Sequence, residues 1–146
     1  MTPPIFVVDT NVLAAGLMTR DARSPVARII DRMLSGSIIY LLSPALLDEY
    51  RVVLLRPRLS TRHGLIEGEI DGLLTDLVAN AIWREPGSVQ PSPDPGDDHL
   101  WALLGSHPNS VLITGDRLLI EHPPDRASVI SPRTYIERFT ENFPAH

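Results

Sequence analysis

Two amino acids with reactive side chains are missing from this sequence, since none of its 146 residues is cysteine or lysine. Without cysteine the chain can form no disulfide, thiolate-bound zinc site, iron–sulfur cluster or thiol nucleophile, which agrees with a reducing compartment. Without lysine it can form no Schiff base and has neither a phosphate-loop lysine nor the lysine that assists phosphoaspartate chemistry. The two absences therefore remove several classes of enzyme.

Long apolar segments are missing as well. No continuous apolar stretch of the sequence is long enough to span a bilayer. Residues 1–4 contain no basic residue, and the apolar run Ile5–Val8 is much shorter than the core of a signal peptide. We therefore expect a cytoplasmic protein with no membrane segment.

The size and charge of the chain fit one soluble catalytic domain. A chain of 146 residues with 43% hydrophobic residues is enough for a single core, so we expect one domain over residues 1–146. The net charge of −5 argues against a protein that coats nucleic acid, because such binding needs a basic surface. It does not argue against a nuclease, because a site for divalent cations is locally acidic and all 13 basic residues are arginines that can contact phosphate.

Short apolar runs alternate with longer amphipathic ones, which is the pattern of repeated strand–helix–strand units. The predicted strands are Ile5–Val8, Ile38–Leu42, Ala81–Arg84, Val111–Thr114 and Ser128–Ile130. The predicted helices begin near Pro25, Pro44, Leu65, Asp98 and Pro132. We expect an α/β fold, a three-layer α/β/α sandwich around a parallel sheet of about five strands. The proline-rich segment Glu85–Gly96 is expected to be an ordered surface loop.

Four acidic residues follow four different predicted strands, namely Asp9, Glu49, Asp97 and Asp116. In an open parallel sheet, ligands bind outside the carboxyl ends of the strands. Glu49 lies about one and a half turns into its helix, but helical side chains lean toward the N-terminus and therefore toward the same edge. The sequence thus predicts that the four carboxylates converge.

Converging carboxylates repel one another and are stable only when something neutralises them. A hard divalent cation such as Mg²⁺ or Mn²⁺ prefers oxygen ligands and does this. With phosphate as a further ligand, such a cation can activate water and stabilise a leaving oxygen. The predicted reaction class is phosphodiester hydrolysis.

Four segments of the chain resemble the conserved segments of the PIN-domain family: Val7–Leu13, Ser43–Tyr50, Asp94–Asp98 and Leu112–Asp116. The segment Val129–Arg133 resembles the terminal segment of the VapC-like toxin branch of that family. The resemblance spans nearly the whole chain. It implies a PIN-like fold and a ribonuclease that uses magnesium or manganese. It also implies the toxin of a toxin–antitoxin pair, with an RNA substrate, a cognate antitoxin protein as inhibitor and a homodimeric state.

The resemblance also implies roles for individual residues. The expected metal ligands are Asp9, Asp97 and Asp116, with Glu49 as a further ligand or a water-positioning group. The residues expected to hydrogen-bond to these carboxylates and orient them are Asn11, Ser43 and Thr114. One departure is Leu118, at a place where many relatives carry another acid.

Two features of the sequence allow more than one interpretation. In the pair Asp97-Asp98 we prefer Asp97 as the ligand, because this register directs the following leucines of the helix inward. The five histidines show no metal-binding spacing and are expected to be surface or structural residues, although His99 could contact substrate. The basic stretch contains Arg51, Arg56, Arg58 and Arg62, and either it is solvated or it positions phosphate near the site.

Two alternative functions remain open at this point. A haloacid-dehalogenase-like phosphatase also has an apolar strand ending in aspartate, but it needs a second aspartate where this chain has Asn11, and it generally uses a lysine. Such an enzyme would hydrolyse phosphomonoesters and leave RNA intact. In the other alternative, the chain is a non-catalytic PIN-like module that acts by association. The intact acids argue against that second reading.

Overall fold

Five short parallel strands form the centre of the computed structural model, which describes residues 3–86 and 95–140. They are Ile5–Val8 (β1), Leu41–Leu42 (β2), Ile82–Trp83 (β3), Ser110–Ile113 (β4) and Ser128–Ile130 (β5). Strand β4 pairs with β1 and β5, and β2 pairs with β3. A parallel bridge between Phe6 and Tyr40 joins the two ladders. The order across the two ladders is therefore β3-β2-β1-β4-β5. This confirms the predicted parallel α/β fold, although the strands divide into three plus two and do not form one continuous sheet of five.

Strand β1 lies in the middle of this sheet because its sequence suits burial on both faces. Every residue from Ile5 to Val8 is buried, and apolar side chains at all four positions leave neither face suited to solvent. Strands β2 and β4 flank it. The chain therefore leaves the centre of the sheet at Asp9, at the carboxyl edge.

Eight helices of the described residues surround the sheet. Their bounds are Thr10–Met18 (α1), Pro25–Ser35 (α2), Pro44–Leu54 (α3), Pro57–His63 (α4), Glu67–Asn80 (α5), Asp98–Gly105 (α6), Arg117–Glu121 (α7) and Pro132–Phe139 (α8). Three predicted starts are confirmed at Pro25, Pro44 and Pro132, where a serine hydroxyl before each proline accepts a bond from the backbone of the first turn. None of the helices in the described ranges is long and apolar enough to cross a membrane.

Three short helices were not predicted. Helix α1 follows β1 with only Asp9 between them and no glycine or proline to mark a turn. The side chain of Asp9 caps the helix by accepting a bond from the backbone nitrogen of Thr10. Helix α4 begins at Pro57, because a proline that ends one helix can occupy the first position of the next. Helix α7 has five residues and is too short for a periodic pattern. Of the predicted loop over residues 85–96, residues 87–94 lie outside the described residues, and Pro95–Asp97 forms a 3₁₀ turn.

Two buried tyrosines attach helices to the sheet. The hydroxyl of Tyr50 in α3 donates to the carbonyl oxygen of Val8 at 2.5 Å, at the end of β1. The hydroxyl of Tyr40, which precedes β2, donates to the carbonyl oxygen of Leu77 in α5 at 2.6 Å. Burial raises the pKa of Tyr40 to about 12, so this group remains a donor at neutral pH. The bond from Tyr50 fixes the position of α3, and therefore of Glu49, relative to Asp9.

The close approach of α1 and α2 generates the first prediction. A Cβ at Gly16 would lie 2.3 Å from Cδ1 of Ile30 and 2.7 Å from the carbonyl oxygen of Val26. Because the second of these atoms belongs to the backbone, the Gly16→Ala variant should lower the free energy of unfolding by about 1–3 kcal/mol in urea titrations.

The matched control for this variant is Gly72→Ala in α5, where a Cβ would have no atom within 4 Å. There alanine should stabilise the protein by up to about 1 kcal/mol, because it favours the helix over the unfolded chain. Equal effects at the two glycines would contradict the close approach of α1 and α2.

Candidate active site at the carboxyl edge of the sheet

Asp9 is the most buried acid at this edge, with a relative exposure of 5%. Its Oδ1 accepts a hydrogen bond from the backbone nitrogen of Thr10 at 2.8 Å. Its Oδ2 accepts from the hydroxyl of Thr114 at 2.7 Å and from the amide nitrogen of Asn11 at 3.1 Å. These donors fix the carboxylate in one orientation.

The charge on Asp9 is nevertheless unfavourable in this structure. Burial raises the pKa of Asp9 above its ordinary value, and the hydrogen bonds from Thr114 and Thr10 oppose that effect only in part. The charges of Glu49 and Asp116 raise the pKa of Asp9 further, so these acids act on one another across the same space. A neutralising group would therefore stabilise the ionised site.

Hydrogen bonds join the ends of β1 and β4 beside Asp9. The hydroxyl of Thr114 accepts from the amide nitrogen of Asn11 at 3.2 Å and from the backbone nitrogen of Asp116 at 3.0 Å. The backbone nitrogen of Gly115 donates to the side-chain oxygen of Asn11 at 3.0 Å. Asp116 is half-buried and begins α7 by accepting from the backbone nitrogen of Leu118 at 2.9 Å. Asp116 is thus held next to the network that holds Asp9.

Glu49 enters the site from α3 and has a donor on each oxygen. The hydroxyl of Thr10 donates to its Oε2, and Nε2 of His99 lies 3.1 Å from its Oε1. The hydrogen bond from His99 lowers the pKa of Glu49, burial opposes it, and Thr10 and the charge of Arg56 lower it further. Glu49 is therefore ionised at neutral pH, beside the residue that follows Asp9.

The sequence did not predict Thr10 as part of this site, and for His99 it indicated only a contact with substrate. His99 lies half-buried at the second position of α6. The hydrogen bond to Glu49 raises the pKa of His99, burial lowers it, and the charges of Asp97 and Asp9 add to the increase. The sequence offered one signal, which was a histidine two positions after a candidate ligand at the start of a helix.

Asp97 ends the 3₁₀ turn and precedes α6, half-buried and close enough to His99 for its charge to raise the pKa of that residue. Leu100, Leu103 and Leu104 are all buried, as the preferred register of this helix requires. Asp98 is also half-buried and not fully outward as expected. The choice of Asp97 over Asp98 as the ligand stays a prediction.

Ser43 has a different contact from the one expected. Its buried hydroxyl accepts from the backbone nitrogen of Leu46 at 3.1 Å and so caps α3. Among the described residues it makes no hydrogen bond to an acid of the site, because the start of α3 lies more than a turn before Glu49. Of the three residues expected to orient carboxylates, Asn11 and Thr114 contact Asp9 and Ser43 does not.

The structure separates the roles of the arginines in the basic stretch. Arg51 pairs with Glu67 at 2.7 Å and with Asp71 at 2.8 Å, and thereby connects α3 to α5. The charge of Arg56 acts on Glu49. Arg58 and Arg62 are exposed on α4. Of the four, Arg56 is the one with an observed relation to the acids.

The acids fit a hard divalent cation in chemistry but do not form a ready ligand set. Across residues 3–86 and 95–140, no three histidine, aspartate or glutamate side chains are close enough to hold a metal ion as they stand. The available donors are carboxylate oxygens, which magnesium and manganese prefer. Burial and the charges of Glu49 and Asp116 raise the pKa of Asp9, and a bound cation would favour its ionised form.

The carboxyl edge of an open parallel sheet is the usual location of a ligand site in α/β proteins. The family profile described as PIN domain matches residues 6–118, well over half of the chain. The chain therefore belongs to the PIN-domain family, whose members are typically metal-dependent nucleases.

Comparisons with curated proteins and with solved structures add the following. No curated protein matches the chain. A similar solved structure is the PIN domain of T. brucei RRP44, at 15% sequence identity and a TM-score of 0.49, over 93% of this chain and 80% of that chain.

The bonds around Asp9 generate the second prediction. Thr114→Val keeps the shape of the side chain but removes the hydroxyl that contacts Asp9, Asn11 and the backbone of Asp116. Buried polar groups that lose their partner cost about 1–3 kcal/mol, so the free energy of unfolding should fall by that amount in denaturant titrations.

The control for this variant is Thr75→Val on the exposed face of α5, where the hydroxyl donates only to the carbonyl oxygen of Asp71. Its effect should stay within about 0.5 kcal/mol, as at other surface positions. A Thr114→Val variant as stable as Thr75→Val would show that the network does not hold Asp9.

Proposed function

We propose that this chain is a Mg²⁺- or Mn²⁺-dependent endoribonuclease that hydrolyses RNA phosphodiester bonds. The candidate metal ligands and catalytic residues are Asp9, Glu49, Asp97 and Asp116. One observation carries the proposal: the buried carboxylate of Asp9 is fixed by three donors while the charges of Glu49 and Asp116 act on it. Membership of a family of typically metal-dependent nucleases supports it.

The protein's own residues would prepare the site before any ion arrives. Thr10, Asn11 and Thr114 hold the carboxylate of Asp9, so its orientation does not have to be set during the reaction. A bound divalent cation would supply charge neutralisation and a polarised water. The charge of Arg56 acts on Glu49, and a guanidinium at this edge of the sheet would be suited to contact a phosphate of the RNA strand.

The toxin role is the finer part of the proposal, and its support is sequence resemblance. The segment Val129–Arg133 that resembles the toxin branch spans the end of β5 and the start of α8. In this proposal the chain acts in the cytoplasm as a homodimer and binds a cognate antitoxin protein. The haloacid-dehalogenase alternative loses its support because the chain belongs to the PIN-domain family.

The third prediction concerns activity. Purified protein with Mn²⁺ should cleave RNA, and Asp9→Asn and Asp116→Asn should each reduce the rate by at least about 100-fold, because each removes charge that the transition state depends on. The measurement is cleavage of a labelled RNA followed by gel electrophoresis. The control is Asp76→Asn, since Asp76 is an exposed acid of α5 and the variant should cleave normally.

Each alternative function predicts a different result in that assay. Hydrolysis of p-nitrophenyl phosphate with RNA left intact would favour a phosphatase. No cleavage of RNA with either metal, together with growth arrest in cells that Asp9→Asn does not relieve, would favour a non-catalytic module. An Asp9→Asn variant that cleaves RNA as fast as the unmodified protein would contradict the proposed site.

The fourth prediction concerns stability. Because burial and neighbouring charges raise the pKa of Asp9, its ionised form is penalised by folding at neutral pH. In EDTA, the Tm of the unmodified protein relative to that of Asp9→Asn should therefore be lower at neutral pH than at a pH where Asp9 is protonated, as measured by calorimetry.

Addition of Mn²⁺ at neutral pH should reverse this loss of Tm in the unmodified protein. An ion that binds only the folded state adds about 2.7 kcal/mol at 100 times its dissociation constant, so the Tm of the unmodified protein should rise. The Tm of Asp9→Asn should not respond. Equal responses of the two proteins to Mn²⁺ would place the ion elsewhere.

A further inference from the structure

We propose that His99 is a positioning residue for Glu49, which it holds by a hydrogen bond from Nε2 to Oε1 in the orientation that binds the metal ion. The inference rests on the proposed function, since it needs Glu49 to be a ligand. It adds a residue of α6 to a site otherwise built from the ends of β1 and β4, from α3 and from the turn that holds Asp97.

The carboxylate of Glu49 is held at two points. An ionised carboxylate can only accept hydrogen bonds, so Nε2 of His99 carries the hydrogen in the 3.1 Å contact with Oε1. The hydroxyl of Thr10 donates to the other oxygen. One donor on each oxygen prevents rotation of the carboxylate, and each oxygen keeps a free lone pair for a ligand role.

The two donors come from elements whose own positions are fixed. Thr10 is buried at the start of α1, directly after Asp9. His99 lies on α6, whose buried Leu100, Leu103 and Leu104 attach this helix to the core. Through these hydrogen bonds α1 and α6 hold the long side chain of Glu49 in one rotamer, whereas it would otherwise sample several.

The surroundings of the second ring nitrogen of His99 indicate that the role of this side chain is its contact with Glu49. Nδ1 is buried and has no hydrogen-bond partner in the part of the chain that the structure describes. The bond to Glu49 is thus the only hydrogen bond of the imidazole there. A buried ring nitrogen without a partner lowers stability, which a side chain kept for packing alone would avoid.

The same contact could in principle have the opposite effect, because a donor on Oε1 could compete with the ion for Glu49. The two roles predict opposite changes in metal affinity when the donor is removed. Loss of a positioning residue weakens binding, typically by about 10–100-fold for a group that orients a ligand. Loss of a competitor strengthens it.

The test is the dissociation constant of Mn²⁺ for the full chain, measured by electron paramagnetic resonance without substrate. His99→Leu should weaken binding by about 10–100-fold. His99→Gln should restore it to within a few-fold, because the glutamine amide nitrogen lies where Nε2 lies. Asparagine carries the same amide as glutamine on a side chain one carbon shorter, so His99→Asn should bind Mn²⁺ as weakly as His99→Leu. It provides a second variant if the His99→Leu protein does not fold.

Two controls separate positioning from a general effect on the fold. His107→Leu changes the histidine just beyond the other end of α6 and should leave Mn²⁺ affinity unchanged. In a Glu49→Gln background, His99→Leu should cause little further loss, because the side chain that it positions is already neutral.

The outcomes distinguish this inference from the proposed function. If the unmodified protein binds Mn²⁺ and His99→Leu binds it equally well or more tightly, His99 does not position Glu49, although the nuclease site stands. If His99→Gln binds as weakly as His99→Leu, the donor is not what matters and the inference also fails. If the unmodified protein binds no Mn²⁺, the proposed function fails together with the inference.

Discussion

The site depends on one constraint, which is a negative charge buried at the end of the central strand. Asp9 follows four buried apolar residues, so the sheet carries its carboxylate into the protein interior whatever the neighbouring loops do. Burial makes that charge unfavourable, and three hydrogen bonds compensate only in part. A bound cation would therefore stabilise the arrangement around Asp9.

Much of the fold could be predicted because its signals are local. Serine–proline pairs mark three helix starts, and the run Ile5–Val8 has the composition of a strand buried on both faces. The helices α1 and α7, which were not predicted, each begin directly after an acid of the site, whose side chain serves as the cap. The local signal for a helix start and the signal for a functional acid coincide at these positions.

The contacts within the site were harder to predict because they join distant parts of the chain. The pairing of β1 with β4 brings Asp9 and Asp116 to the same edge of the sheet; the sequence pattern predicted parallel strands, and the structure supplies their order. The pairing of His99 with Glu49 depends instead on how α6 packs beside α3, which periodicity does not specify. Ser43 caps α3, as its serine–proline pair predicts, and the contact with an acid that the family resemblance implied is not made among the described residues.

The most direct test of the central claim is a crystal structure of the protein soaked in Mn²⁺, with anomalous diffraction used to locate the ion. The account predicts an anomalous peak coordinated by the carboxylates of Asp9 and Asp116, with Glu49 and Asp97 drawn toward it. A saturating soak that gives no peak at this edge of the sheet, or a peak bound only by acids elsewhere, would contradict it.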